Sequence, residues 1–346
     1  MIKSDSFSYN HIQSLKNKYR LDPSLLERVV YAFGLLEALK KIDLPFIFKG
    51  GTCLMLLLEK PMRLSTDIDI IVSPNVNINS YINKISDIYP FKNIEEQIRI
   101  GKNNIEKRHF KFTYDSPVSK KEIYILLDIL IEDDNYYKVV EKEIINDLLI
   151  TEGKNYIVQV PSIDCLLADK LIAFAPHTTG ITIESGKYME IMKQMFDTCT
   201  LVDYFSNYED IVESYKTIAN QEISYCGISI EKEDILLDTI EVSKNIISRG
   251  KYDKDEYEIY KSGIRSLKSH LFDNNYSPNI AAINVTKIFY LTSCILKQKE
   301  YKKIEDFQLY RNVTFRDKKY APLKYLKKIN LEAYAYCIES EKVLDE

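Results

Sequence analysis

KGGTCLMLLLEKPMRLSTDIDIIV, residues 49–72, is the stretch whose reading decides the fold. LPFIF (44–48), just before it, is a short apolar run of strand length. The run meets Gly50-Gly51-Thr52, and CLMLLLEK follows as a helix. A glycine pair at a helix start lets backbone N–H groups come close to a phosphate, and the helix terminus adds partial positive charge. RLSTDIDIIVS (63–73) then reads as an Ile-rich strand ending at Ser73-Pro74. Asp67 and Asp69 are two apart on it. Period-two geometry turns both carboxylates to one face, with Cα atoms roughly 6–7 Å apart. Such a pair can chelate Mg²⁺ together with substrate phosphates.

Working outward, DPSLLERVVYAFGLLEALKK (22–41) has apolar residues at helical spacing, with Asp22-Pro23 as N-cap and first-turn proline. Residues 78–89 have helical spacing, while 94–100 and 107–114 read as strands. EIYILLDILIE (122–132) reads as the most strongly buried strand, and YIVQV (156–160) as another. Asp128 lies in the middle of the first of these apolar runs. A buried carboxylate there costs several kcal/mol unless it is paired or binds metal. Asp128 is therefore the candidate third carboxylate for a clamp of two metals about 3.5–4 Å apart.

From Pro161 the pattern is helical: 161–175, 187–205, 207–220, 231–248, 253–270, 279–298 and 321–342, with a polar link at 176–186. The fold class is α+β, a mixed sheet with helices followed by a mostly α-helical C-terminal domain. Strand and helix do not alternate regularly enough for a doubly wound sheet. We expect an α/β domain over 1–160, helices over 161–205 completing its active-site cleft, and a helical domain over 206–346.

The chain has 346 residues, 45% hydrophobic and 28% charged, with a net charge of −4. That balance advertises no bulk polyanion-binding surface, so a nucleic-acid contact needs a local basic patch. Apolar runs such as CLMLLL (53–58) fall short of the roughly 20 residues that cross a bilayer, and the first ten residues lack a signal-peptide core. The expectation is a cytoplasmic protein with no membrane partner. The six Cys form no CxxC pair and read as reduced core residues. The four His have no metal-pair spacing, which disfavours zinc catalysis.

Gly-Gly, a short helix, DID and a later strand Asp, in that order, resemble the DNA polymerase β-type nucleotidyltransferase superfamily. The fuller KGGTxL…RxSxDIDI form resembles the AbiEii/AbiGii toxin family. ADKLIAF (168–174) is similar to that family's Lys-bearing helix, and KQMFDTCTLVD (193–203) to its (R/K)xxxDxxD helix. The resemblance spans roughly 30–205. It implies a nucleotidyltransferase toxin of a toxin–antitoxin or phage-exclusion system, with a cognate antitoxin protein as partner and RNA, at the tRNA 3′ end, as acceptor. It also implies Asp67, Asp69 and Asp128 as ligands of Mg²⁺ or Mn²⁺. Lys49, Gly50, Gly51, Thr52, Arg63, Ser65 and Lys170 would bind the NTP. Lys170 would hold the triphosphate, and Asp197 would complete the site.

Structural alternatives stand beside these assignments. Arg63 and Ser65 could merely close a turn, Lys170 could be a snorkelling surface lysine, and Asp197 an exposed helix acid. His177, tempting as a general base, could be an idle linker residue.

Residues 301–330 hold nine Lys/Arg against three acids, 9 − 3 = +6, with six interleaved aromatics. Lys318, Lys319 and Lys324 are candidate RNA contacts, with aromatics free to stack on bases. A solvated basic face or an antitoxin-docking face would show the same pattern. Transfer to a small molecule such as an aminoglycoside, transfer to a protein hydroxyl, and a non-catalytic nucleotide-binding module are the competing functions. The sequence leaves the choice of nucleotide open.

Overall fold

A computed structural model describes residues 1–58, 60, 62–97, 106–273 and 275–346. The chain forms two compact units, Met1–Ser162 with Ser269–Asn274, and Ile163–Lys268 with Asn275–Glu346.

The first unit is built on a seven-stranded mixed sheet in the order β3-β4-β5-β2-β1-β7-β6. Its strands are β1 (Ile47–Lys49), β2 (Ile68–Val72), β3 (Asn93–Gln97), β4 (Lys107–Asp115), β5 (Glu122–Ile131), β6 (Val139–Glu143) and β7 (Ile157–Pro161). β2 runs antiparallel to β1 and parallel to β5. α1 (Tyr9–Tyr19) and α2 (Pro23–Lys41) precede the sheet, and α3 (Gly50–Leu57) follows β1 directly. The Asp22 carboxylate caps α2, accepting from the Ser24 N–H at 2.7 Å, with Pro23 in the first turn. α2 packs on β2 and β5 through a core that includes Leu26, Val30 and Phe33. A returning segment closes the loop before β2: Leu64 N–H donates to His270 O (2.7 Å) and Phe272 N–H to Met62 O (3.2 Å).

The mixed sheet and the helical region after it are the architecture the sequence predicts. Several elements differ in detail. Residues 78–89 form only a short helix, α4 (Asn79–Ile82), and a 3₁₀ turn (Asn83–Asp87) before a cis Tyr89-Pro90 bond. The expected strand over 94–100 is β3, and residues 98–100 of that expectation lie outside the described residues. β6 was not anticipated, because VVEKE is a short, charged edge strand.

The second unit is helical: α5 (Ile163–Ala173), α6 (Tyr188–Leu201), α7 (Tyr208–Cys226), α8 (Lys232–Ser248), α9 (Lys254–Leu267), α10 (Pro278–Leu296), α11 (Leu326–Ile329) and α12 (Leu331–Asp345). Among the described residues, α10 alone is long and apolar enough to cross a membrane, with a mean hydropathy of 1.4. It is a core helix, burying Val285, Phe289, Leu291 and Cys294. The single helix expected over 321–342 is instead a 3₁₀ turn (Lys318–Leu323) containing Pro322, then α11, then α12. The Asn330 side chain starts α12 by accepting from Ala333 N–H at 2.8 Å. The six cysteines are free thiols, and five are buried.

The link between α5 and α6 is tied down by His177 and Thr178. Both reach the buried Asp238 carboxylate on α8: His177 N–H at 2.8 Å, His177 Nδ1 at 2.7 Å and Thr178 Oγ1 at 2.9 Å. His177 Nε2 lies 3.4 Å from Glu256 on α9. The Asp238 hydrogen bond, then its charge and those of Glu256 and Glu184, hold the imidazole pKa above its ordinary 6.5 despite partial burial. A pKa raised on folding stabilises the folded state fully below the unfolded value, and that stabilisation fades as pH rises through the folded value. The thermal midpoint gap between the natural chain and His177→Gln should therefore be widest below about pH 6.5 and narrow at higher pH. A gap constant from pH 6 to 9 would contradict this assignment.

Candidate active site

Every strand near the candidate carboxylates is fixed in register, so the site can be built residue by residue. Lys49 on β1 is opposite Asp69 on β2. Asp69 is opposite Asp128 on β5, and Asp128 is opposite His109 on β4. Residues directly opposite share a sheet face, and neighbouring strands are about 4.8 Å apart. Lys49, Asp69, Asp128 and His109 thus form one row across four strands. His109 Nδ1 lies 2.6 Å from Asp128 Oδ1. Lys49 Nζ lies 5.7 Å from the centre of the Tyr136 ring.

Asp128 is not the buried carboxylate its apolar surroundings suggest; its side chain is 34% exposed. β5 alternates: Leu127 and Ile129 enter the core while Asp128 takes the other, half-open face. Asp67 precedes the first residue of β2 and is exposed, so it stands outside the paired row. Its carbonyl accepts a 2.6 Å hydrogen bond from Thr52 Oγ1, which ties the start of α3 to the entry of β2.

The glycine turn is shaped around these groups. Gly50 has φ +80°, and a Cβ there would collide with the Asp69 carboxylate. A Cβ on Gly51 would collide with the Arg63 guanidinium and lie 2.7 Å from Ser65 Oγ. Arg63 is buried and donates from Nη1 to Leu64 O at 3.1 Å. Arg63 and Ser65 therefore abut the turn. Gly50→Ala should cost about 1–2 kcal/mol of backbone strain and also displace Asp69. The expected result is a nearly inactive protein that still folds; undiminished transfer by Gly50→Ala would show that the close approach of Gly50 and Asp69 is irrelevant.

In the second unit Lys170 on α5 and Asp197 on α6 come together. Lys170 Nζ is 3.1 Å from Asp197 Oδ2, with side chains 7% and 0% exposed, and 2.9 Å from Gln194 Oε1. Thr198 Oγ1 also donates to the Lys170 carbonyl at 3.2 Å. Neither the surface-lysine nor the exposed-acid alternative fits this burial.

Four of the six aromatics in the basic segment near the C-terminus are engaged in packing: partly buried Tyr301 and Phe307 lie against the cluster of Tyr290, Cys294 and Tyr336, and Phe315 stacks on buried Tyr320. The helices of the second unit need these rings as core. Lys318 and Lys324 are exposed, while Lys319 pairs with Asp317 at 3.1 Å and Asp345 at 3.5 Å.

Among the described residues, no three or more His, Cys, Asp or Glu side chains gather closely enough to hold a metal ion by themselves. Asp67 lies one residue before β2, outside the strand ladder that pairs Asp69 with Asp128. The Asp69–Asp128 pair still fits a hard cation. Mg²⁺ takes oxygen ligands and commonly one or two carboxylates, completing its shell with water and substrate phosphates. The clearance that glycine provides beside the Asp69 carboxylate suits such a ligand.

An acidic pair on neighbouring strands beside a glycine turn at a helix start can hold a cation and a phosphate side by side. Residues 35–277 match the model of the family described as nucleotidyl transferase AbiEii toxin, type IV toxin–antitoxin system, and the chain belongs to that family. Two solved Helicobacter pylori structures are similar in outline. One, JHP933, is 13% identical over 80% of this chain and 94% of its own, with a TM-score of 0.44. The other, assigned as a nucleotidyltransferase, is 15% identical over 79% of this chain and 94% of its own, also with a TM-score of 0.44. No curated protein sequence matches the chain.

Proposed function

We propose that the chain transfers a nucleoside monophosphate from an NTP to an RNA hydroxyl, with the 3′ end of tRNA as the acceptor, in a Mg²⁺-dependent reaction. The observation that carries this reading is the Lys49–Asp69–Asp128 row beside the Gly50-Gly51-Thr52 turn. The N–H groups opening α3 and the Lys49 ammonium bind the triphosphate. Arg63 and Ser65 hold the turn in shape. Lys170, which the family resemblance assigns to phosphate, is held within the second unit by Asp197 and Gln194.

Asp69 and Asp128 would hold the divalent cation, with Asp67 at the strand entry as a further carboxylate. When bound, the cation supplies charge neutralisation for the transferring phosphoryl group and the leaving pyrophosphate. The acceptor hydroxyl oxygen forms a bond to the α-phosphorus as the bond from that phosphorus to the β-phosphate bridging oxygen breaks. Asp128 takes the hydroxyl proton, and pyrophosphate leaves. The protein's work is placement and electrostatic stabilisation, as phosphoryl-type transfers require.

The family belongs to type IV toxin–antitoxin systems, so a cognate antitoxin is the expected protein partner. The exposed Lys318 and Lys324 are assigned to the RNA backbone by charge alone.

Incubation with each α-labelled NTP and Mg²⁺, in separate reactions with total RNA, a protein extract and aminoglycosides, tests the acceptor. Label on tRNA that disappears with Asp128→Asn is the expected result. Label confined to protein or to the small molecule overturns the RNA assignment.

A further inference from the structure

His109 belongs to none of the motifs in residues 49–72, yet its ring touches the acidic pair directly. Its Nδ1 is 2.6 Å from Asp128 Oδ1, short for an N–H donor to a carboxylate. Its side chain is only 13% exposed, against 34% for Asp128. A carboxylate that open can be hydrated by solvent, so the contact is not needed merely to satisfy a buried oxygen. Among the described residues, His109 is the one side chain hydrogen-bonded to Asp128.

The strand carrying His109 is pinned on both sides. Arg108 makes a two-pronged contact to Glu96 on β3, at 2.7 and 2.8 Å. Phe110 is buried in the core. The imidazole is therefore held by its own backbone and neighbours, and the carboxylate is oriented by the imidazole.

We propose that His109 is a positioning residue for Asp128. Its Nδ1–H occupies Oδ1, fixes the carboxylate plane and leaves Oδ2 for the cation shared with Asp69. Hydrogen bonds of this kind to ligating groups are worth roughly 10–100-fold in metal affinity. The inference rests on the reading of Asp69 and Asp128 as a cation-holding pair.

The contact requires a proton on Nδ1, which donates to the carboxylate. It also separates two conservative replacements. Asn carries its amide nitrogen near the Nδ1 position and can keep the hydrogen bond, whereas Gln carries it one bond farther, near Nε2.

The experiment titrates the intact chain with Mn²⁺ alone, reading free Mn²⁺ by electron paramagnetic resonance. It compares the natural protein with Asp69→Asn, His109→Ala, His109→Asn and His109→Gln, each checked for folding by circular dichroism. The expected result is binding that Asp69→Asn removes and His109→Ala weakens about tenfold or more. His109→Asn should restore most of it and His109→Gln should not. Equal affinity in His109→Ala and the natural chain, or equal rescue by Asn and Gln, overturns the positioning role while leaving the acidic pair standing. Binding that Asp69→Asn does not alter removes the acidic-pair reading and the positioning role with it. The ¹⁵N spectrum of the metal-free chain gives an independent readout. It should show a proton on His109 Nδ1, and an Nδ1 without a proton overturns the hydrogen bond itself.

Discussion

Asp69→Asn should reduce nucleotidyl transfer about a thousandfold while leaving the fold intact. Asp69 sits at the centre of the row, between Lys49 and Asp128. The substitution keeps the shape of the side chain and removes only its charge. Loss of one carboxylate from a cation site of this kind costs several kcal/mol of transition-state stabilisation, and about 4 kcal/mol is a thousandfold in rate. Stability should move the other way or not at all. Two carboxylates on adjacent strands repel each other in the metal-free chain, and the substitution relieves that repulsion. The paired measurement is kcat with thermal midpoint. A variant within tenfold of the natural rate would remove Asp69 from the site, whereas a collapsed midpoint would make it a structural residue.

Asp197→Ala should be among the most destabilising single substitutions in the second unit. It leaves the Lys170 ammonium buried, 3.1 Å from where its counter-charge stood. Breaking a buried ion pair on one side typically costs about 3–5 kcal/mol. For a unit of this size the thermal midpoint should fall by roughly 10 °C. Replacing both partners with apolar residues of similar volume removes the stranded charge, so Lys170→Met with Asp197→Leu should recover more than half of the loss. A single variant that melts with the natural protein would show that the pair contributes nothing to the packing of α5 on α6.

Some of this was legible in the sequence for identifiable reasons. The two acids of DID are a local, period-two feature, and Gly50-Gly51 is a local turn signal, so neither needs tertiary information. The mixed sheet and the long helices α2, α7, α8 and α10 follow the hydrophobic periodicity and lie within a few residues of the predicted spans. Asp128 was singled out by an argument that the fold does not support. An acid in an apolar run looks buried, but β5 alternates between a core face and a half-open face, and Asp128 is on the latter. His109 could not be found from spacing. Its contact with Asp128 depends on the antiparallel register of β4 and β5, and KRHFKFTY reads only as a strand. In the C-terminal segment, interleaved Lys and aromatic residues look like a stacking surface, and periodicity does not reveal that Tyr301 and Phe307 pack against Tyr290, Cys294 and Tyr336. The breaks before α12 were signalled by Pro322 and Asn330 and overridden by the apolar periodicity around them.

Whether the Asp69–Asp128 site transfers a nucleotide is decided by the fate of the phosphorus atoms. The same NTP should be supplied in parallel labelled at the α- or at the γ-phosphorus, with Mg²⁺ and RNA. The expected result is α-label on the RNA, γ-label released as pyrophosphate, and neither transferred by Asp69→Asn. Retention of γ-label on the acceptor, or transfer of α-label by Asp69→Asn at the natural rate, would contradict it.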